Sequence, residues 1–121
     1  MGDRGSIKVV CKNAWGKGKD DVSVTLFRHW AGSEECMIEL CKKTKKEFVE
    51  NRGAPPYNQV GEIIARMTKI AVEEDGSSSY LGKDESDGDD SDNGHYILYV
   101  SGFEKPDKWI LTHEGKKIAE I

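Results

Sequence analysis

This sequence predicts an α+β fold: an antiparallel sheet of about five strands, in the order ββααβββ, with two helices packed on one face. Three observations carry that prediction. Short runs of alternating or continuous apolar residues lie near both ends of the chain. Between them stand two longer stretches whose apolar residues recur at i, i+3, i+4 and i+7. Elements with one apolar face must bury it on a second layer, and two adjacent helices on one side of a sheet satisfy that rule. At 121 residues the chain has the length of one domain, 1–121, able to fold around one core without covalent staples.

The first strand is Ser6 to Lys12, with Ile7, Val9 and Cys11 on one face and Ser6, Lys8 and Lys12 on the other. Asn13 to Asp21 is a glycine-containing connection in which Trp15 caps the sheet edge. Val22, Val24, Leu26 and Arg28 then alternate with Ser23, Thr25 and Phe27, and the short link makes these two strands a hairpin. After His29-Trp30 the chain turns through Ala31-Gly32. Ser33 is the expected helix N-cap, with Glu34 and Glu35 in the first turn, where carboxylates offset the helix dipole. Met37, Leu40, Cys41, Thr44 and Phe48 form the apolar stripe, and Gly53 ends the helix. Pro56 or Tyr57 opens a second helix, which buries Val60, Ile63, Ile64, Met67, Ile70 and Ala71 and ends at Asp75-Gly76.

Residues 76–94 are rich in Ser, Gly and Asp and have few groups to bury, so a flexible acidic loop is expected there. His95 to Val100 is a near-continuous apolar run suited to a central strand. A turn from Gly102 to Asp107 leads to a fourth strand, Lys108 to Thr112, and His113-Glu114-Gly115 turns into a fifth, Lys116 to Ile121.

Composition narrows the function classes. The net charge of −4 divides unevenly, with thirteen Lys/Arg against nine Asp/Glu in residues 1–72 and five against thirteen in residues 73–121. Most of the acidic excess falls in the 76–94 loop. Lys42, Lys43, Lys45 and Lys46 read as a solvated helix face, with nucleic-acid binding through them and Lys12, Lys17 and Lys19 the alternative. The odd count of three cysteines, Cys11, Cys36 and Cys41, argues for free thiols in a reducing, cytoplasmic setting. No run of about eighteen apolar residues predicts a membrane span. Gly2 with Ser6 meets the minimal myristoylation pattern, but no basic cluster accompanies it, and a plain N-terminus is the reading adopted.

Motifs with a defined chemistry are sparse. Gly16-Lys17-Gly18-Lys19 lacks the spacing and following helix of a phosphate cradle. Asp89-x-Ser91-x-Asn93-Gly94 imitates the start of a calcium loop, but the twelfth position, which needs a bidentate Glu, is Val100. His29, His95 and His113 are far apart in sequence, so no metal set and no cofactor is predicted.

The densest group of unusual side chains is the strand-to-helix junction: His29, Trp30 and Ser33, with Glu34 and Glu35 following and Asp3 and Arg4 on the approach of the neighbouring strand. A His beside a hydroxyl and carboxylates has the ingredients of acid–base or nucleophilic chemistry. Each residue also has a structural job, as strand end, aromatic lid or N-cap, and no catalytic residue is assigned.

The same residues carry a resemblance. Met1-Gly2-Asp3-Arg4, Arg28-His29-Trp30-Ala31-Gly32, Pro56-Tyr57 before Ile63-Ile64, and Asp92-Asn93 before Tyr96-Ile97-Leu98 occur here in order. In this the chain resembles a family of small uncharacterised proteins of phages and prokaryotic genomes, whose corresponding strand ends in a Thr-His-Trp-Gly-Gly type motif. Arg28 stands where the family has a small hydroxyl residue, and Ala31 replaces its first glycine. The resemblance implies a shared fold and a mobile-element origin, and brings no activity with it. Together these readings predict a protein-interaction module, monomeric or dimeric, with an unidentified protein partner bound through Arg4, Arg28, His29, Trp30, Ser33 and Tyr57. A small enzyme centred on His29 is the alternative, and nucleic-acid binding a second.

Overall fold

In the computed structural model, which describes residues 2–16, 18–101 and 108–121, nine regular elements follow one another. They are β1 (Gly5–Cys11), β2 (Asp21–Val22), β3 (Thr25–Arg28), α1 (Glu34–Arg52), α2 (Val60–Asp75), β4 (Tyr80–Gly82), β5 (His95–Tyr99), β6 (Ile110–His113) and β7 (Lys116–Glu120). The α+β class and the two helices are as expected. The expected turn from Gly102 to Asp107, the side chain of Trp15 and Lys17 lie outside the described residues.

The sheet corrects the sequence reading in two ways. It is mixed rather than antiparallel, and it has seven strands rather than about five, in the order β4-β3-β1-β5-β6-β7 with β2 beside β1. β1 lies parallel to β5, with Ile7 opposite Tyr96 and Val9 opposite Leu98. Parallel pairing needs a long connection, and the chain from β3 through both helices and β4 supplies one. That path lets the apolar β5 enter the centre of the sheet beside β1 instead of extending a meander.

The extra strands come from a broken alternation and from the acidic segment. Ser23 divides the run expected as one strand. Its hydroxyl oxygen accepts from Val9 N–H at 2.9 Å and its hydroxyl donates to the Val24 carbonyl at 2.7 Å. A side chain thus takes over part of the ladder, and Val22 and Val24 are left exposed. Residues 76–94, read from composition as one loop, contain β4, which pairs with β3 at Phe27 opposite Tyr80. They also contain 3-10 turns at Gly76–Ser78 and Glu85–Asp87.

The helices behave as their stripes predict. Met37, Leu40, Cys41, Thr44 and Phe48 of α1, and Ile63, Ile64, Met67, Ile70 and Ala71 of α2, are buried. They cover the face of the sheet formed by Ile7, Val9, Cys11, Leu26, Tyr96, Leu98 and Leu111. Ser33 caps α1 by accepting from Cys36 N–H, and Gly53 closes it at φ 70°. α2 begins at Val60 and not at Pro56 or Tyr57, because Tyr57 packs edge-on against Phe48 in the core. All three cysteines are free thiols. Burial pushes the thiols of Cys11 and Cys41 up, which keeps them protonated and inert.

Candidate functional site

The junction after β3 is held by backbone and by a close glycine contact. Asp3 N–H donates to the His29 carbonyl at 2.8 Å, and Gly32 N–H donates to the Asp3 carbonyl at 2.7 Å. A Cβ on Gly32 would stand 2.4 Å from Gly5 N and 2.7 Å from the Asp3 carbonyl oxygen, so only glycine lets these two strands of backbone meet. Tyr96 adds a hydrogen bond from its hydroxyl to the Gly32 carbonyl at 2.8 Å. These contacts bring Asp3, Arg4, His29, Trp30 and Ser33 to one end of the sheet, as the sequence suggested.

The predicted site residues divide sharply. Trp30 is 56% exposed and meets the His29 ring edge-on at 4.4 Å between centroids. His29 is half-buried. Arg4 is half-buried and held by acids: its N–H and Nε donate to Asp92 at 2.9 Å and its guanidinium to Asp89 at 2.6 Å. Ser33 Oγ is committed to the helix cap. Arg28 and Tyr57, expected at a binding surface, are buried. Arg28 instead clamps the end of α2, with Nε donating to Asp75 at 2.7 Å and a terminal nitrogen to Glu74 at 3.1 Å. Three consecutive acids oppose the dipole at that helix end, and the guanidinium offsets them. Arg28 therefore has a structural role at this helix end.

A second constellation, which spacing did not reveal, lies on the other face of the sheet. Ser6 and His95 are partners on adjacent strands β1 and β5. Ser6 Oγ is 2.7 Å from His95 Nδ1 and 2.7 Å from Asp90 Oδ2, and Glu85 Oε2 is 3.9 Å from the same His95 nitrogen. The carboxylate can only accept, so the serine proton points to Asp90 and the hydroxyl oxygen accepts from His95 Nδ1–H. That tautomer leaves Nε2 as a bare acceptor, and it is buried without a partner among the described residues. Burial holds the imidazole pKa below its ordinary value, against the pull of Glu85 and Asp90, so the ring is neutral at pH 7. A serine-nucleophile relay places the imidazole between hydroxyl and carboxylate. Here the hydroxyl stands between the other two and Ser6 is buried, so the group is not built as a hydrolase triad.

The acidic segment is fitted onto this face. Phe27 stacks on Tyr80 at 5.0 Å, and a Cβ on Gly88 would stand 2.7 Å from the Phe27 ring. Asp84 caps the Glu85–Asp87 turn. The residues that imitated a calcium loop have other tasks: Asp89 accepts from Ser91 N–H and from Arg4, Asp92 accepts from Arg4, and Asn93 donates to Asp3. Hydrogen bonds from Arg4 hold the Asp92 carboxyl below its usual pKa, and those from Ser91, with the Arg4 charge, do the same for Asp89.

Several of the basic side chains have partners. Lys43 pairs with Glu74, Lys69 with Glu47, and Lys42 with Glu39. Lys12 lies over the Tyr99 ring at 5.1 Å and Lys45 over Trp109 at 5.6 Å. A groove of about 440 Å³ between α1 and α2 is crossed by Arg52–Glu62 and Arg66–Glu47 pairs. No helix among the described residues is long and apolar enough to cross a membrane. Comparisons with known protein families, curated proteins and solved structures find no match to this chain.

Proposed function

We propose that this protein is a protein-interaction module that engages its partner through the Trp30 surface. The observation that carries this reading is a tryptophan left 56% exposed beside an imidazole, on backbone that the Gly5–Gly32 contact makes rigid. Tryptophan is enriched among the residues that dominate binding energy, because it buries a large area at small entropic cost. A rigid mount adds to that by reducing what must be ordered on association. His29 and Arg4 form the polar surround. Arg28 and Tyr57 drop out of the surface because they are buried.

The test uses tagged protein and lysate of the native host. Trp30→Ala should leave the thermal unfolding midpoint nearly unchanged and reduce recovery of the specific partner by at least about 30-fold, the equivalent of a binding hot spot of roughly 2 kcal/mol. Equal recovery by wild type and a folded Trp30→Ala protein would show that the partner binds elsewhere.

A further inference from the structure

We propose that Glu85, Asp90 and His95, with the Ser6 hydroxyl, form a binding site for one divalent first-row transition-metal ion of the Zn²⁺ type. The site is independent of the Trp30 surface and lies on the opposite side of β1 from the helices.

Geometry is the first support. One ligand atom each from Glu85, Asp90 and His95 lies within 4.8 Å of the others. Donors around an ion with bonds of about 2.0–2.2 Å stand roughly 3.4 Å apart in a tetrahedron. The 3.9 Å between Glu85 and His95 closes to that distance with a small movement of the exposed Glu85 side chain. Ser6 Oγ, 2.7 Å from both Asp90 and His95, supplies a fourth oxygen or turns aside for water.

The imidazole is the second support, because surface carboxylates alone gather for many reasons. His95 is 8% exposed, and its Nδ1 points into the cluster while Nε2 has no partner among the described residues. A buried ring committed at one nitrogen and vacant at the other can change tautomer without breaking a second hydrogen bond. On metal binding the proton moves from Nδ1 to Nε2, Nδ1 donates its lone pair to the ion, and Ser6 gives up its bond to the ring. No proton leaves the imidazole in that exchange. One nitrogen with carboxylate and hydroxyl oxygens suits ions such as Zn²⁺ or Mn²⁺ over Ca²⁺, which prefers six to eight oxygens.

The ligands also come from two parts of the fold. Glu85 and Asp90 belong to the acidic segment, and Ser6 and His95 to the two central strands. An ion held by all of them would fix the segment to the sheet.

Zn²⁺ titration of the full chain by calorimetry tests the proposal, with Cys36→Ser as the background to remove the more accessible thiol. One equivalent should bind, Glu85→Gln and Asp90→Asn should each weaken it at least tenfold, and a tenfold excess of Ca²⁺ should not compete. Imidazole ¹⁵N spectra provide a measurement that needs no substitution at the site: the protonated nitrogen of His95 should change from Nδ1 to Nε2 on loading, with His29 and His113 unchanged. Absence of saturable binding would overturn the site. So would equal affinity in both folded variants, equal competition by Ca²⁺, or a His95 tautomer that does not respond.

Discussion

The two faces of the sheet are built on different principles. The helix-covered face is apolar and periodic, with Ile7, Leu26, Tyr96 and Leu98 under Met37, Leu40, Ile63 and Met67, all buried. Among the described residues one charged side chain, Arg28, enters it, and its partners sit at the end of α2. The opposite face, at the start of β1 and β5, is polar at its centre, where Ser6 and His95 meet Asp90. It is covered by a segment of glycines, turns and carboxylates. Each face is tied by one arginine to two acids far along the chain: Arg28 with Glu74 and Asp75, and Arg4 with Asp89 and Asp92. The first arginine is 1% exposed at its side chain and the second 30%. Burial decides what each pair is worth. Removing one partner of a buried pair strands the other in low dielectric, whereas an exposed partner is taken up by water.

Arg28→Ala gives the largest expected effect. Asp75, whose side chain is only 7% exposed, would lose its cation at a helix end whose dipole already disfavours acids. Loss of a buried partner costs about 3–5 kcal/mol. Urea unfolding should therefore show a large fall in midpoint, with the whole domain melting earlier. A change near zero would mean that Asp75 finds water in the folded state, and the distinction between the two arginines would collapse.

A smaller effect arises at the rim of the helix face, where His113 stacks on Tyr96 at 4.0 Å. Its Nδ1 meets Glu34 of α1 at 2.6 Å, and Nε2 meets the Asn93 carbonyl. Burial pushes the His113 pKa down, but the hydrogen bonds to Glu34 and Asn93 and the charges of Glu34 and Glu114 outweigh it, and the net shift is upward. A histidine with a raised folded pKa stabilises most below its unfolded value of about 6.5, and that stability is lost as pH rises through the folded value. The gap in melting temperature between wild type and His113→Gln should accordingly be widest near pH 5.5 and narrow by pH 8.5. Taking the difference cancels contributions from other groups, including His95. A gap that widens with pH would show that the ring serves the fold as a neutral stacking partner only.

The contrast between the faces is also a contrast in what sequence can reveal. Helical period placed Met37, Leu40, Cys41, Thr44 and Phe48 on one buried stripe, and Ser33 and Gly53 at its ends, because burial there repeats with the backbone. The polar face has no such period. β4 is short and its Tyr80 and Leu81 are exposed, so it registers in composition as loop. Ser6 and His95 meet only because β1 and β5 run parallel, which depends on the path of the chain between them and not on local pattern. Arg4 and Asp92 are far apart in sequence, and no local pattern joins them. The candidate surface was half legible for the same reason. His29 and Trp30 are neighbours in the chain and stayed neighbours in space. Arg28 looked like a surface residue because an alternating strand gives no warning that its outermost member will meet the acids at the end of a distant helix.

Arg4→Ala should have the smallest effect on global stability and the clearest local one. Its partners are partly exposed, so the midpoint of urea unfolding should move little. Yet the same side chain and its own N–H hold Asp92, and its carbonyl accepts from Asn93 N–H at 2.8 Å. Without the guanidinium, Asp89 and Asp92 face each other uncompensated, and the segment is held by the pairing of β4 with β3, its turn hydrogen bonds, the Ser6–Asp90 and Asn93–Asp3 hydrogen bonds and the contact of Gly88 with Phe27. Local opening requires less free energy than global unfolding, and amide exchange reads it residue by residue. Exchange should quicken at Ser91, Asn93 and Gly94 while the amides of β5 and of α1 keep wild-type rates. The opposite pattern, with β5 amides losing protection together with the segment, would mean that the acidic cover and the central strands open as one unit. The two faces would then be energetically inseparable, with the polar face as much a part of the core as the apolar one.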